Sequence, residues 1–162
     1  MAQISEGDTL PEATFTTMTD QGPMPRSVAE AFGGKTVVLF AVPGAFTPTC
    51  HRNHMPGFVE KAEEIRAKGV DEIACVAVND VFVMEAWGKA SGAAPAIQLL
   101  ADGGAAFTKA VGMDLDLTER GLGIRSKRYA MIVEDGTVKK LMVEDNPGEA
   151  SLSTADAVLA EL

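Results

Sequence analysis

From Thr36 to Val42 the chain reads Thr-Val-Val-Leu-Phe-Ala-Val, seven residues with no alternation of polar and apolar positions. A run of this kind is a buried strand, and strands buried on both faces belong to sheets covered by helices. The chain then turns directly into a helix. Pro43-Gly44-Ala45-Phe46 is a strand-to-helix turn, and Met55, Phe58, Val59, Ala62 and Ile65 recur at helical spacing. Thr47 suits the N-cap and Pro48 the first helical position, which puts Cys50 at about the third position of the first turn. There the backbone amides have no intrahelical partner and the helix dipole is positive. A thiol in such a place ionises more easily, and the thiolate is its reactive form.

The same reading extends along the chain. Ala13 to Met18 alternates weakly and forms an early strand beside the main sheet; Ser27 opens a short helix to Phe32. The helix carrying Cys50 runs from Thr49 to about Lys68, and Pro56 inside it predicts a kink or irregularity. Glu72 to Val78 is a second buried strand, Val81 to about Ala90 a helix, Ile97 to Leu100 a short strand and Ala105 to Val111 a short helix. Gly112 to Ser126 reads as a polar, Gly-rich connection. Lys127 to Val133 and Thr137 to Val143 are strands joined by an Asp135-Gly136 hairpin turn. Ser153 caps a last helix to Leu162, with Asp156 in the capping-box position. This order predicts an α/β thioredoxin-like fold: a central mixed β-sheet flanked by helices, with an N-terminal strand extension, in a single domain over residues 1–162.

The bulk properties narrow the function. The formal net charge is −9, which argues against nucleic acid or an anionic membrane as partner. No apolar run is long enough to span a bilayer, and Met1 to Asp8 has neither the basic flank nor the apolar core of a signal peptide. Two cysteines do not make a disulfide scaffold, so a cytoplasmic location is expected.

Pro43-Gly44-Ala45-Phe46-Thr47-Pro48-Thr49-Cys50 fits the pattern Pro-x-x-x-Thr-x-x-Cys of the peroxiredoxins. The continuation from His51 to Phe58, and Gly121-Leu122-Gly123-Ile124-Arg125-Ser126-Lys127-Arg128-Tyr129, resemble the branch that holds the plant type II enzymes. The resemblance covers nearly the whole chain. It implies a thiol peroxidase that reduces hydrogen peroxide and alkyl hydroperoxides through a sulfenic acid on Cys50. It implies that Thr47 bonds the incoming peroxide, that Pro43 packs over the sulfur and limits water, and that Arg128 stabilises charge as the O–O bond breaks. Arg128 rather than Arg125 matches the family arginine because it directly precedes the aromatic residue of its strand, Tyr129. The family also implies a homodimer.

Each residue has a plainer reading. A lone cysteine is more often inert and buried than reactive; Thr47 and Pro48 are also ordinary capping residues, and Phe46 and Phe58 line pocket or core. Cys75, inside an apolar strand, reads as a buried free thiol, with a resolving cysteine as the alternative. The stretch Glu149 to Ser153, where animal members carry a resolving cysteine, has none. That favours glutathione or a glutaredoxin as reductant, with thioredoxin second. His54 lies four residues from Cys50 and is read as a hydrogen-bonded helix residue, with His51 facing solvent. Cys50, His51 and His54 would be a thin metal site without a Cys-x-x-Cys pair, and a Cys–His hydrolase dyad finds no other support. No metal or cofactor is expected. The rival to the enzyme is a non-enzymatic redox sensor on the same fold, which would oxidise Cys50 without turnover.

Overall fold

A computed structural model describes residues 2–162. β1 (Thr14–Thr19) and β2 (Gly22–Ser27) form an antiparallel hairpin, and α1 (Val28–Phe32) follows behind a capping box of Ser27 and Glu30. The two long apolar runs become β3 (Thr36–Ala41) and β4 (Glu72–Ala77), paired in parallel with Phe40 opposite Cys75. Between them lies α2 (Met55–Ala67); after β4 come α3 (Val81–Ala90), β5 (Gln98–Ala101) and α4 (Ala106–Ala110). The segment Gly112 to Ser126 is not a plain connection. It holds β6 (Asp114–Leu117), a single 3-10 turn at Thr118–Arg120 and β7 (Gly123–Ser126), paired as a separate two-stranded ribbon. β8 (Tyr129–Glu134), β9 (Thr137–Val143) and α5 (Ala155–Glu161) complete the chain.

The main sheet has seven strands in the order β2-β1-β5-β4-β3-β8-β9. β3, β4 and β5 are parallel, and the outer pairings are antiparallel. The unbroken apolar runs follow from this placement. Val38 and Phe40 of β3 point into a core closed by α2, α3 and α5, while Val37, Leu39 and Ala41 point into a second core closed by α1 and α4. With both faces covered, no position from Val37 to Ala41 is left for a polar side chain.

Several local expectations are corrected. β2 reads Gly-Pro-Met-Pro-Arg-Ser, and its two prolines hide it from propensity; it sits at the sheet edge, where a missing N–H is tolerated. The last helix is capped by Thr154, whose hydroxyl accepts from the Ala157 amide, not by Ser153. The irregularity expected at Pro56 is a widened turn over Cys50–His54, in which the Met55 amide reaches back to the Cys50 carbonyl. Such a turn absorbs the proline that follows, because the donor that Pro56 lacks would have closed the next regular bond.

Candidate active site

β3 ends at the sheet's carboxyl edge, and the turn after it is built around close contacts. The Ala45 amide donates to Asn79 Oδ1 at 2.9 Å, tying the turn to the end of β4. Phe46, expected to line pocket or core, takes a left-handed φ of 65°, is 48% exposed and is not on the lining of the cavity beside Cys50. A Cβ at Gly44 would come within 3.2 Å of the Thr47 methyl, a tight contact that would require the Thr47 side chain to shift by a few tenths of an ångström. The Thr47 carbonyl accepts the first helical bond, from His51 at 2.8 Å, so Thr47 does stand at the helix start. Its hydroxyl does not cap: it donates to the Gly44 carbonyl at 2.7 Å. With its proton so engaged, the oxygen is left as an acceptor.

Cys50 is fully buried. Arg128, which immediately precedes β8 beside β3, meets it. One terminal nitrogen of the guanidinium donates to Cys50 Sγ at 2.9 Å, the other to His54 Nδ1 at 2.9 Å, and Nε to the Pro147 carbonyl at 3.0 Å. Arg128 is itself buried, and among the described residues it pairs with no carboxylate. A buried cation is costly unless compensated, and the sulfur is the group beside it able to carry the opposite charge.

A second layer fixes Arg128. His54 is buried, and its Nε2 lies 2.7 Å from the Ser153 carbonyl. A carbonyl only accepts, so Nε2 carries the proton and Nδ1 is the lone pair that receives Arg128. Burial first, and then the neighbouring Arg128 charge, hold the imidazole down at about 4, although its bond to Ser153 works the other way. Ser153 is held in turn by Glu144, whose carboxylate accepts from the Ser151, Leu152 and Ser153 amides at 2.9, 2.7 and 2.7 Å and from the Ser153 hydroxyl at 2.6 Å. Burial pushes the Glu144 carboxyl up, but these bonds outweigh it and hold it below the usual carboxylate value. Both His54 nitrogens are thus occupied, which leaves none for a hydrolase dyad with Cys50. No cluster of three or more potential metal ligands occurs among the described residues.

The structure brings Pro43, Thr47 and Arg128 together on the lining of one cavity of about 410 Å³ next to Cys50. Arg125 lines the same cavity but does not reach the sulfur; it donates to the Leu122 and Val78 carbonyls at 2.8 and 2.9 Å, clamping the β6–β7 ribbon to the end of β4. His51 is half-buried rather than solvent-facing, its Nδ1 accepting from Trp87 Nε1 at 3.0 Å. Cys75 is a free, fully buried thiol on β4, pushed well above its ordinary value by burial first and then by Cys50. Phe58 is core, stacked on Phe40 with ring centroids 4.0 Å apart. The spacing of Cys50 and His54 hinted at His54's place; no spacing signalled Ser153, which meets His54 across 99 positions, or Glu144, which holds Ser153.

Residues 5–159 match the Redoxin family. The chain is 46% identical over 163 residues to Peroxiredoxin-2B of Arabidopsis thaliana, with all of both chains covered. It is 48% identical over 167 residues to chloroplastic Peroxiredoxin-2E-2 of Oryza sativa subsp. japonica, covering all of this chain and 74% of that one. Reduced Prx3 of Vibrio vulnificus, solved in complex with hydrogen peroxide, superposes with a TM-score of 0.93 at 51% identity over 98% of this chain and 99% of that one.

Proposed function

The chain belongs to the Redoxin family as a peroxiredoxin of the type II branch, a thiol peroxidase, and on that premise we propose that Cys50 is the residue peroxide oxidises. The observation that carries this reading is the buried Arg128 guanidinium donating to Cys50 Sγ at 2.9 Å with no carboxylate paired to it among the described residues. The Cys50 thiolate attacks the terminal peroxide oxygen. An S–O bond forms as the O–O bond breaks, the sulfur is oxidised by two electrons to the sulfenic acid, and the second oxygen leaves with the bonding pair. A proton from solvent converts it to water or an alcohol. Arg128 faces the charge developing on the oxygens, and the Thr47 oxygen accepts the peroxide's O–H, orienting it for in-line attack. Pro43 lines the approach and keeps water from the sulfur.

For the return half, the reading favours an external thiol. Glutathione attacks the sulfenic acid, water leaves, and the mixed disulfide is reduced by a second glutathione or by a glutaredoxin; thioredoxin is the second choice. Cys75 supports this indirectly, since burial and its place on a central strand keep it from the approach to Cys50. A cytoplasmic, thiol-rich compartment fits such chemistry. No described helix is long and apolar enough to cross a membrane. A homodimer is part of the reading, supported by large apolar side chains left exposed, Phe82 at 65% and Phe46 at 48%; sedimentation would test it. The deciding assay gives the purified protein hydrogen peroxide with either glutathione plus glutaredoxin or thioredoxin plus its reductase. Turnover is expected chiefly in the first arm. Turnover only in the second, or none in a protein whose Cys50 becomes sulfenic acid, overturns the reductant assignment.

A further inference from the structure

The cavity beside Cys50 carries a charge pattern opposite to that of the chain. The sequence holds 23 acidic and 14 basic residues, yet the cavity lining includes Arg120, Arg125 and Arg128 and no aspartate or glutamate. Arg128 is committed to the sulfur and to His54. The other two are not explained by the reduction of hydrogen peroxide, a small neutral molecule. Arg125 spends Nε and one terminal nitrogen on backbone carbonyls and has its second terminal nitrogen uncommitted. Arg120 is exposed at the end of the 3-10 turn, and neither it nor Arg125 pairs with a carboxylate among the described residues. Leu117 and Leu122 share the same lining, and Leu122 is 39% exposed. Two unpaired guanidinium groups beside apolar surface match a carboxylate attached to an apolar or peptide body. A concave site also concentrates such a field against the overall negative charge.

We propose that Arg120 and Arg125 form a carboxylate-binding subsite at the mouth of the Cys50 cavity, so that the enzyme prefers ligands that carry a carboxylate. This rests on Cys50 being the reacting residue. Two ligands have that chemistry: an amphipathic organic hydroperoxide with an acid group, and glutathione, which carries two carboxylates. In either case the carboxylate is held at the rim while the reacting atom, a peroxide oxygen or the glutathione sulfur, reaches Cys50. The chemistry at the sulfur is unchanged; the subsite supplies binding and orientation.

Paired ligands that differ only in that charge test it. In the oxidative arm, the free acid and the methyl ester of one long-chain fatty-acid hydroperoxide are compared below their micelle concentrations. In the reductive arm, glutathione and its diethyl ester are compared as reductants of the peroxide-oxidised enzyme. Each ratio is measured for the wild type and for Arg120→Gln, at low and high sodium chloride, with circular dichroism to confirm the fold. Arg125→Lys, which keeps the charge but loses the fork, is the second variant. The acid-to-ester ratio is expected to exceed one in at least one arm, to fall by about threefold to fivefold in Arg120→Gln, and to fall with salt. The arm in which it does so identifies the ligand. Ratios near one in both arms, or ratios that Arg120→Gln leaves unchanged, overturn the subsite when hydrogen peroxide is still consumed. Failure to consume hydrogen peroxide at all overturns instead the assignment of Cys50 on which the subsite rests.

Discussion

Cys50 and Cys75 are both free, both fully buried and members of the same core, yet their surroundings ask opposite things of sulfur. Cys75 lies mid-strand on β4 opposite Phe40, where burial disfavours the charged form. Cys50 starts a widened helical turn and receives a guanidinium N–H at 2.9 Å. Burial alone therefore does not separate a structural thiol from a reactive one. What separates them is the guanidinium bonded to Cys50 and the adjoining cavity lined by Pro43, Thr47 and Arg128, from which the proposed reading brings the oxidant.

The largest break in this comparison is Cys50→Ser, expected to abolish peroxide consumption while circular dichroism and melting stay close to wild type. If substantial peroxidase activity survived, the contrast would have been assigned to the wrong sulfur. Arg128→Ala comes next. It removes the charge that distinguishes the two thiols, and a loss on the order of 10²–10³-fold in the rate with hydrogen peroxide is expected, as for deleting a transition-state donor. Arg128→Lys should recover only part, since one ammonium cannot serve the sulfur, His54 and Pro147 together. Stopped-flow peroxide kinetics of both variants would show whether charge or fork geometry matters more.

Thr47→Val tests the passage rather than the charge. The hydroxyl donates to Gly44 and offers its oxygen to the cavity, so valine keeps the shape but removes the acceptor. A loss of roughly 10²-fold is expected, with little change in melting because the side chain is not a helix cap. A variant that melts early but reacts normally would reverse that assignment.

How much of this was visible beforehand depends on how local the cause is. The runs Thr36–Val42 and Glu72–Val78 announce buried strands because the signal is continuous in sequence, and Pro43, Thr47 and Cys50 share one short motif. Arg128 was placed by its step before Tyr129. The layer behind it was not legible: Ser153 and His54 meet across 99 positions, and no spacing rule links them. Ser153 looked like a helix cap because serine suits caps, but tertiary contacts hold its hydroxyl on Glu144 and leave the cap to Thr154. The β6–β7 ribbon was hidden by its polar, glycine-rich composition.

That hidden layer predicts a pH effect. His54 is neutral in the fold with a value of about 4, against about 6.5 for a free histidine. Below pH 6.5 the unfolded chain takes up a proton that the folded chain refuses, so stability falls as pH drops from about 6.5 to about 4. Glu144, held below its usual value, adds to the loss in the same direction at lower pH. A protonated His54 can no longer accept from Arg128, so peroxide reactivity should fall with the same group. In His54→Gln, whose amide offers a donor to Ser153 and an acceptor to Arg128 but does not titrate, the melting temperature should depend less on pH over this window. An acid profile identical to wild type would place the titration elsewhere.

The smallest effect is expected at the other cysteine. Cys75→Ser puts a hydroxyl into an apolar strand position that is fully buried, and an unpaired hydroxyl there costs about 1–3 kcal/mol of stability. Turnover with glutathione and glutaredoxin should nevertheless stay near wild type, because Cys75 offers Cys50 neither charge nor passage. Bonding the two sulfurs would require a disulfide with Cα atoms within about 7 Å and correct Cβ directions, and the turn that carries Cys50 is fastened through Arg128, His54 and Ser153. Mass spectrometry after one equivalent of peroxide should therefore find a sulfenic acid on Cys50, and a glutathione adduct there once glutathione is added. A quantitative bond between Cys50 and Cys75 within one chain, with turnover lost in Cys75→Ser, would mean that the fastened turn opens during catalysis and that the quiet cysteine is the resolving one.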